Sequence, residues 1–315
     1  MARTHLLASA LIVVTLLGGG SGQAQSGENP FTVVETGQGF GSLQDAVNAI
    51  GEGQGTIRIA SGRYRDCAVQ EAGTITFAAA VPGEVIFDGG MCEEKAALVL
   101  RGHAARVEGL TFTHMRVPDG NGAGIRIEQG DLVVSESMFV DGQCGILSAE
   151  DRNSTITIDH STFSQLGKHP DGNGAHSVYV GHYGRAIVTN SRFERGTGGH
   201  YLKIRAPRVE IIGNSFDDSH GQDTNYMIDL SEGAVGRIAN NTFVQGTGKE
   251  NYSTFIAVHA EEGENPSAGL TIEDNTAWLV PSFAWPTTFV GDWSGEAVVV
   301  RNNRLASGIT PYARH

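Results

Sequence analysis

A short phrase recurs along this chain: Ser137-Met138-Phe139, Ser161-Thr162-Phe163, Ser191-Arg192-Phe193, Asn214-Ser215-Phe216 and Asn241-Thr242-Phe243. A Thr111-Phe112 pair and a degenerate Asn275-Thr276-Ala277 extend the series at either end. From Phe112 through Phe139, Phe163, Phe193 and Phe216 to Phe243 the steps are 27, 24, 30, 23 and 27 residues. Self-similarity at this period marks a solenoid, whose units bury their apolar side only by stacking on one another.

The repeating unit is made of strands. Each period carries short alternating runs of β-branched residues, such as Ile125-Arg126-Ile127, Leu132-Val133-Val134 and Thr155-Ile156-Thr157-Ile158, punctuated by Gly, Asn and Asp. No period holds a helical stripe of useful length. About two dozen residues in three short strands make one coil of an all-β fold, a single-stranded right-handed parallel β-helix. The phenylalanines are then expected to stack inside. The Asn or Ser two positions earlier would form a side-chain ladder at a turn. An antiparallel sandwich is the alternative, but it requires no phrase in register.

Phe31 to Ile50 reads as a strand followed by a short amphipathic helix, with Ser42 as N-cap and Leu43, Ala46, Val47 and Ile50 on one face. This segment, about 31–55, is the expected cap of the solenoid. Residues 278–315 begin with a stretch rich in Pro and Trp and are expected to close it irregularly. Arg3 followed by the apolar run Leu6 to Leu17 and by Gly22-Gln23-Ala24 reads as a signal peptide over 1–24. The β-helix domain is then 25–315, and the expected location is the periplasm or the exterior. No later run is long enough for a membrane span.

The chain has 22 Lys and Arg against 35 Asp and Glu; without Arg3 the balance is 21 against 35, a net charge of −14. Such an acidic body argues against nucleic acid as a partner and requires a local basic patch for any acidic polysaccharide. A monomer is expected. Cys67 and Cys92 lie one coil apart, so stacking brings them together as a disulfide worth about 3 kcal/mol in an oxidising compartment. Cys144 is left as a buried apolar side chain.

Counting back from each Phe sorts strand residues by face. Ile125, Ile146, Val178, Leu202, Ile228 and Ile256 fall in one inward column. The outward column beside it contains Arg126, Leu147, Tyr179, Lys203, Asp229 and Ala257. A second outward column is expected at Gly124, Gly145, Ser177, Tyr201, Met227 and Phe255, and a third at Glu128, Ala149, Gly181, Arg205, Ser231 and His259. Coils about 4.8 Å apart make these columns one surface. Tyr179, Lys203 and Asp229 are neighbours there, with Ser177, Tyr201 and Arg205 alongside and His176 stacked on His200. Two nearly identical phrases, Val117 to Ala123 and His169 to Ala175, precede equivalent strands and are expected as neighbouring loops, either plain Asx-rich turns or the walls of a cleft beside this face.

The set suits proton abstraction from C5 of a uronate sugar, which needs a base, an acid and a cation on the carboxylate. Lys203 is the candidate base, with Tyr179 or His200 exchanging the second proton. Arg205, or Arg126 further along, would hold the carboxylate, and Tyr201, His176, Asp229 and Ser177 would line the substrate.

Gly55-Thr56-Ile57-Arg58-Ile59-Ala60-Ser61-Gly62-Arg63-Tyr64 resembles the opening coil of pectate-lyase-like and pectin-esterase-like β-helices. The segment from Lys203 through Asn214-Ser215-Phe216 to Asn241-Thr242-Phe243 resembles the β-helical polysaccharide lyases of the chondroitinase-B and alginate-lyase type. That resemblance implies a strand lysine as base, here Lys203. The arginine acid of the next coil is replaced by Asp229. Glycines Gly196, Gly198 and Gly199 stand where calcium ligands are expected, so no cofactor is expected unless calcium binds through other groups. The Asp-Pro-His-Asp motif of the mannuronan epimerases has only a partial echo, His169-Pro170-Asp171. The expected function is a polysaccharide lyase. The alternatives are a C5-epimerase, a non-catalytic carbohydrate-binding solenoid, and a glycoside hydrolase using Asp217, Asp218, Asp223 or Asp229.

Overall fold

A computed structural model describes residues 29–167, 175–263 and 265–315. The signal-peptide segment and the His169-Pro170-Asp171 echo lie outside the described residues. Among those described, the strands form three sheets of twelve, ten and ten members, here sheets I, II and III. Every strand pair is parallel except at the start, where Phe31–Val33 runs antiparallel to both Gln38–Phe40 and Gln54–Ile59. From there the chain visits the sheets in strict rotation, one strand each per coil. The architecture is the expected right-handed parallel β-helix.

The phenylalanines are in register: Phe112 opposes Phe139, then Phe163, Phe193, Phe216 and Phe243 follow on successive strands of sheet II. Neighbouring rings from Phe139 to Phe216 lie 4.8–4.9 Å apart and within 2–8° of parallel. Coil spacing fixes this stack, because the rings share one rotamer direction at each rung.

One corner is held by the polar ladder, in two forms. The Ser137 N–H donates to Ser161 Oγ at 3.3 Å and the Ser161 N–H to Ser191 Oγ at 3.1 Å. From Asn214 onward the side chains bond one another as expected: Asn214 Nδ2 donates to Asn241 Oδ1 at 3.0 Å, and Asn241 Nδ2 to Asn275 Oδ1 at 3.0 Å. The serine half therefore runs from backbone to hydroxyl rather than from side chain to side chain, because a hydroxyl is too short to reach the next rung while also donating to its own turn, as Ser161 Oγ does to Asp159 O at 2.9 Å. From Ser135 onward this corner keeps one length, after five residues between Ala79 and Val85 and one between Glu108 and Leu110 in the early coils. Two residues separate sheet I from sheet II at Ser135 to Met138, Asp159 to Thr162, Thr189 to Arg192, Ile212 to Ser215, Ala239 to Thr242 and Glu273 to Thr276. The corners on either side of sheet III do vary, as between Ser164 and Val178 or between Val258 and Thr271.

The helix spans Leu43–Ile50, with Ser42 Oγ accepting from the Asp45 N–H at 3.2 Å and Leu43, Ala46 and Val47 buried. It covers the first coils as a cap. Cys67 and Cys92 are bonded, with Cα atoms 5.5 Å apart, and Cys144 is free and buried. The segment 278–315, expected to be irregular, instead continues the coils: Thr287–Asp292, Val299–Arg301 and Ile309–Arg314 pair in register. The Pro- and Trp-containing stretch 280–286 is one of the loops between these strands, so its composition marks a corner rather than the end of the helix.

Phe193→Ala, in mid-stack, is expected to lower stability by about 3–5 kcal/mol, whereas Met138→Ala on the exposed side of the same sheet changes it by about 0.5 kcal/mol or less; urea midpoints of the two variants check this. Thiol labelling of the unfolded, unreduced protein should find one reactive cysteine.

Candidate functional site

The central outward column of sheet III is as expected from parity. Arg126 opposes Leu147, Leu147 opposes Tyr179, Tyr179 opposes Lys203, Lys203 opposes Asp229, and Asp229 opposes Ala257. The inward column from Ile125 to Ile256 is fully buried. The column expected to face outward at Gly124, Gly145, Ser177, Tyr201, Met227 and Phe255 does not. Tyr201, Met227 and Phe255 belong to the core, and a Cβ on Gly124 or Gly145 would stand 2.7 Å from the ring of Phe139 or Phe163. The chain bends as it enters each strand of sheet III, so two consecutive residues point inward and strict alternation starts one residue later.

Tyr201 is consequently a core tyrosine, 1% exposed, whose hydroxyl donates to Asp218 Oδ1 at 2.8 Å and accepts from the Gly196 N–H at 2.9 Å. Asp218 also takes a hydrogen bond from Lys249 at 3.2 Å. Ser177 is likewise buried. Asp218, named as a hydrolase candidate, thus anchors corner loops instead of facing a cleft.

The remaining residues converge. Arg205 Nε donates to Tyr179 Oη at 2.9 Å, and its guanidinium lies 5.9 Å from the centre of that ring. Arg205 also pairs with Glu232, and with Glu261 at 2.6 Å. The Lys203 ammonium bonds Glu261 and lies 3.3 Å from Asp229 Oδ2. Expected to stand free on the outer face, Lys203 is 7% exposed, because Asp229 and Glu261 enclose it. Ser231 Oγ donates to Asp229 Oδ2 at 2.8 Å, while Asp229 Oδ1 is buried without a partner. Burial pushes the Asp229 carboxyl above its ordinary range, against the pull of Lys203. For Glu261 burial works upward too, but the bonds from Lys203 and Arg205 outweigh it and leave the carboxyl below its ordinary value.

His176 and His200 stack as expected, ring centres 4.9 Å apart. The backbone N–H of His200 donates to His176 Nδ1 at 3.1 Å, so neutral His176 carries its proton on Nε2. His200 Nε2 lies 3.4 Å from Asp229 Oδ2, and the His176 ring is 5.8 Å from that of Tyr179. Burial drives both histidines toward the neutral form: His176 well below its ordinary value, His200 to about 3, with Lys203 adding to each shift.

Tyr179 and His176 form one end of a cavity of about 420 Å³, whose floor and walls include Leu147, Ser148, Arg126 and Lys95. The 117–122 loop supplies Asp119 and Asn121 to it. Arg126 is tied to Glu128 only at 3.4 Å. Among the described residues no group of His, Cys, Asp or Glu is arranged to hold a metal ion. Among the described residues no helix is long and apolar enough to cross a membrane.

Two partners escaped the parity reading, Glu232 and Glu261, because it stopped at strand ends. Carried one residue beyond the third column, the same count aligns Glu150, His182, Ala206 and Glu232, the small Ala206 leaving His182 room to reach Glu232. His182 indeed bridges the two glutamates at 2.9 Å each. Glu261 has no such signal, since it sits in a loop of variable length.

The buried histidines set a pH dependence. An unfolded histidine titrates near 6.5 and folded His200 at about 3, so between these values the unfolded chain holds the additional proton. Stability is full above the unfolded value and falls as the pH drops through this window, by about 1.4 kcal/mol per pH unit for each fully neutral histidine. His200→Gln should flatten the dependence between about pH 7 and pH 5, as read from urea midpoints.

No curated protein matches the chain. Among solved structures, ORF18 of Geobacillus virus E2 superposes with a TM-score of 0.53 at 13% identity, over 86% of this chain and 56% of that one. The chain thus spans little more than half of that viral protein, and the likeness is one of fold. The model of the right-handed β-helix region matches residues 123–305, which include every residue of the Tyr179–Lys203–Asp229 column. This chain belongs to the right-handed β-helix family.

Proposed function

We propose that this protein is a polysaccharide lyase of the pectate-lyase-like kind, acting on a uronate-containing glycan by C5 proton abstraction and β-elimination. The observation that carries this reading is the 2.9 Å hydrogen bond from Arg205 Nε to Tyr179 Oη at the end of an open cavity. In a uronate the carboxyl carbon is bonded directly to C5. A carboxylate seated on Arg205 therefore brings the C5–H bond to the tyrosine oxygen. Cation and proton acceptor have to be neighbours for this reaction, and here they touch.

The residues divide the work as follows. Arg205 and Lys203 neutralise the carboxylate and stabilise the charge that spreads into it when C5 loses its proton. Tyr179, as phenolate supported by the Arg205 N–H, accepts that proton. The electron pair left on C5 forms the C4–C5 double bond, the C4–O4 bond breaks, and the tyrosine returns the proton to the departing oxygen. His176, with its proton on Nε2, lies beside the ring as a hydrogen-bond donor to the sugar. Lys203 is enclosed by carboxylates and serves this scheme as a positive charge rather than as the base. Arg126 and Lys95 offer cations toward the neighbouring sugar, beside Glu94 and Asp119 of the same cavity. Secretion and a single 25–315 domain fit an enzyme of extracellular glycans.

A panel of uronate polysaccharides tests the reading by the appearance of unsaturated ends in the ultraviolet. Tyr179→Phe should lower turnover about a hundredfold or more while the fold is retained. Solvent deuterium entering intact sugars, without unsaturated ends, would instead identify an epimerase. Binding without product would identify a carbohydrate-binding solenoid.

A further inference from the structure

The charges around Arg205 do not suit a polyanion as they stand. Lys203 and Arg205 are the cations, and Asp229, Glu232 and Glu261 the carboxylates bonded to them. Two positive groups already meet three negative ones, on a chain whose net charge is −13. A uronate carboxylate approaching this set meets repulsion unless one of the three gives way.

The three are not equivalent. Asp229 and Glu232 lie deep, with side chains 3% and 13% exposed, and each has further partners inside the protein, Ser231 for the first and His182 for the second. Glu261 is 40% exposed, stands in the loop after the Thr254–Val258 strand, and has the two cations as its side-chain partners. Its backbone is tied by the Glu261 N–H to Ser231 O at 2.8 Å, so the carboxylate is delivered from a fixed point while the side chain can swing. One oxygen faces Lys203 and the other Arg205, the bridging geometry of a carboxylate on a bidentate cationic seat.

We infer that Glu261 is an internal stand-in for the substrate carboxylate: it occupies the Lys203–Arg205 seat when the seat is empty, and a uronate enters by displacing it. This rests on the lyase reading for the identity of the ligand, but the seat and its occupant are properties of the protein alone. Displacement leaves the charge of the seat unchanged, since one carboxylate replaces another, and it releases Glu261 to water. A neutral sugar brings the two cations no carboxylate, so it gains nothing from the seat whether Glu261 is present or absent. Glu261 is therefore an internal competitor: it raises the threshold that a carboxylate ligand has to pass to occupy the seat.

The test is calorimetric binding of D-glucuronate, with D-glucose as the neutral control, to the wild type, Glu261→Gln and Glu261→Ala. If the seat is open for a tenth of the time or less, removing the competitor raises glucuronate affinity about tenfold or more. Glucose binding stays unchanged in both variants. Adding Arg205→Gln to Glu261→Gln should abolish the gain. Thermal melting of each variant confirms that the fold is kept, and the two substitutions at 261 guard against loss of one of them. An unchanged or weakened glucuronate affinity in both folded variants overturns the inference. Should the affinity rise while no uronate polysaccharide is cleaved by the wild type, the seat stands and the lyase assignment falls.

Discussion

Parallel stacking of coils places each side chain directly over its counterpart one rung away. Like therefore meets like, and the chain must choose residues that tolerate their own column. Apolar groups gain from it: the rings from Phe112 to Phe243 touch at van der Waals distance, and the inward column from Ile125 to Ile256 fills the space beside them. Asparagine gains as well, because its amide is both donor and acceptor and can serve the rungs above and below at once. Charge does not. A run of one sign along a column would repel itself at every step, so the outward column of sheet III sets Lys203 against Asp229 and leaves Tyr179 and Ala257 on either side.

This constraint explains how much could be read in advance. The phrase ending in Phe fixed the period, the parity count placed Arg126, Tyr179, Lys203 and Asp229 on one face, and the separation of Cys67 from Cys92 gave their bond. All of these follow from register alone. Tyr201 was misplaced because a bend at the strand entrance turns two successive residues inward, and nothing in the alternation of side chains announces it. The burial of Lys203 was missed because it depends on Glu261, which arrives from a loop 58 residues later. Loops obey no period, and what they carry across a face is decided by their own turns.

Burying charges on a strand face has a cost that shapes the site. Two cations and three carboxylates lose water together, and their mutual bonds offset that loss only while the set is complete. Removing one member leaves its partner with an unbalanced charge in a poorly hydrated place. Such a cluster adds little net stability to a β-helix that already has its aromatic and amide columns. It holds Tyr179 and Arg205 in a single relative position, the kind of placement that the proposed proton transfer from carbon requires.

From Ser135 onward the corner between sheets I and II keeps the same two-residue length from coil to coil, while both corners bordering sheet III lengthen and shorten freely. The solenoid is thus divided lengthwise into a spine that carries the ladder and a margin that carries the loops. Insertions and deletions along the margin alter the walls of one face without shifting the register of any strand. A lineage built on this plan can exchange one ligand for another by editing loop length, and its hydrophobic interior takes no part in the change. Durability and recognition are inherited on separate edges of the same coil.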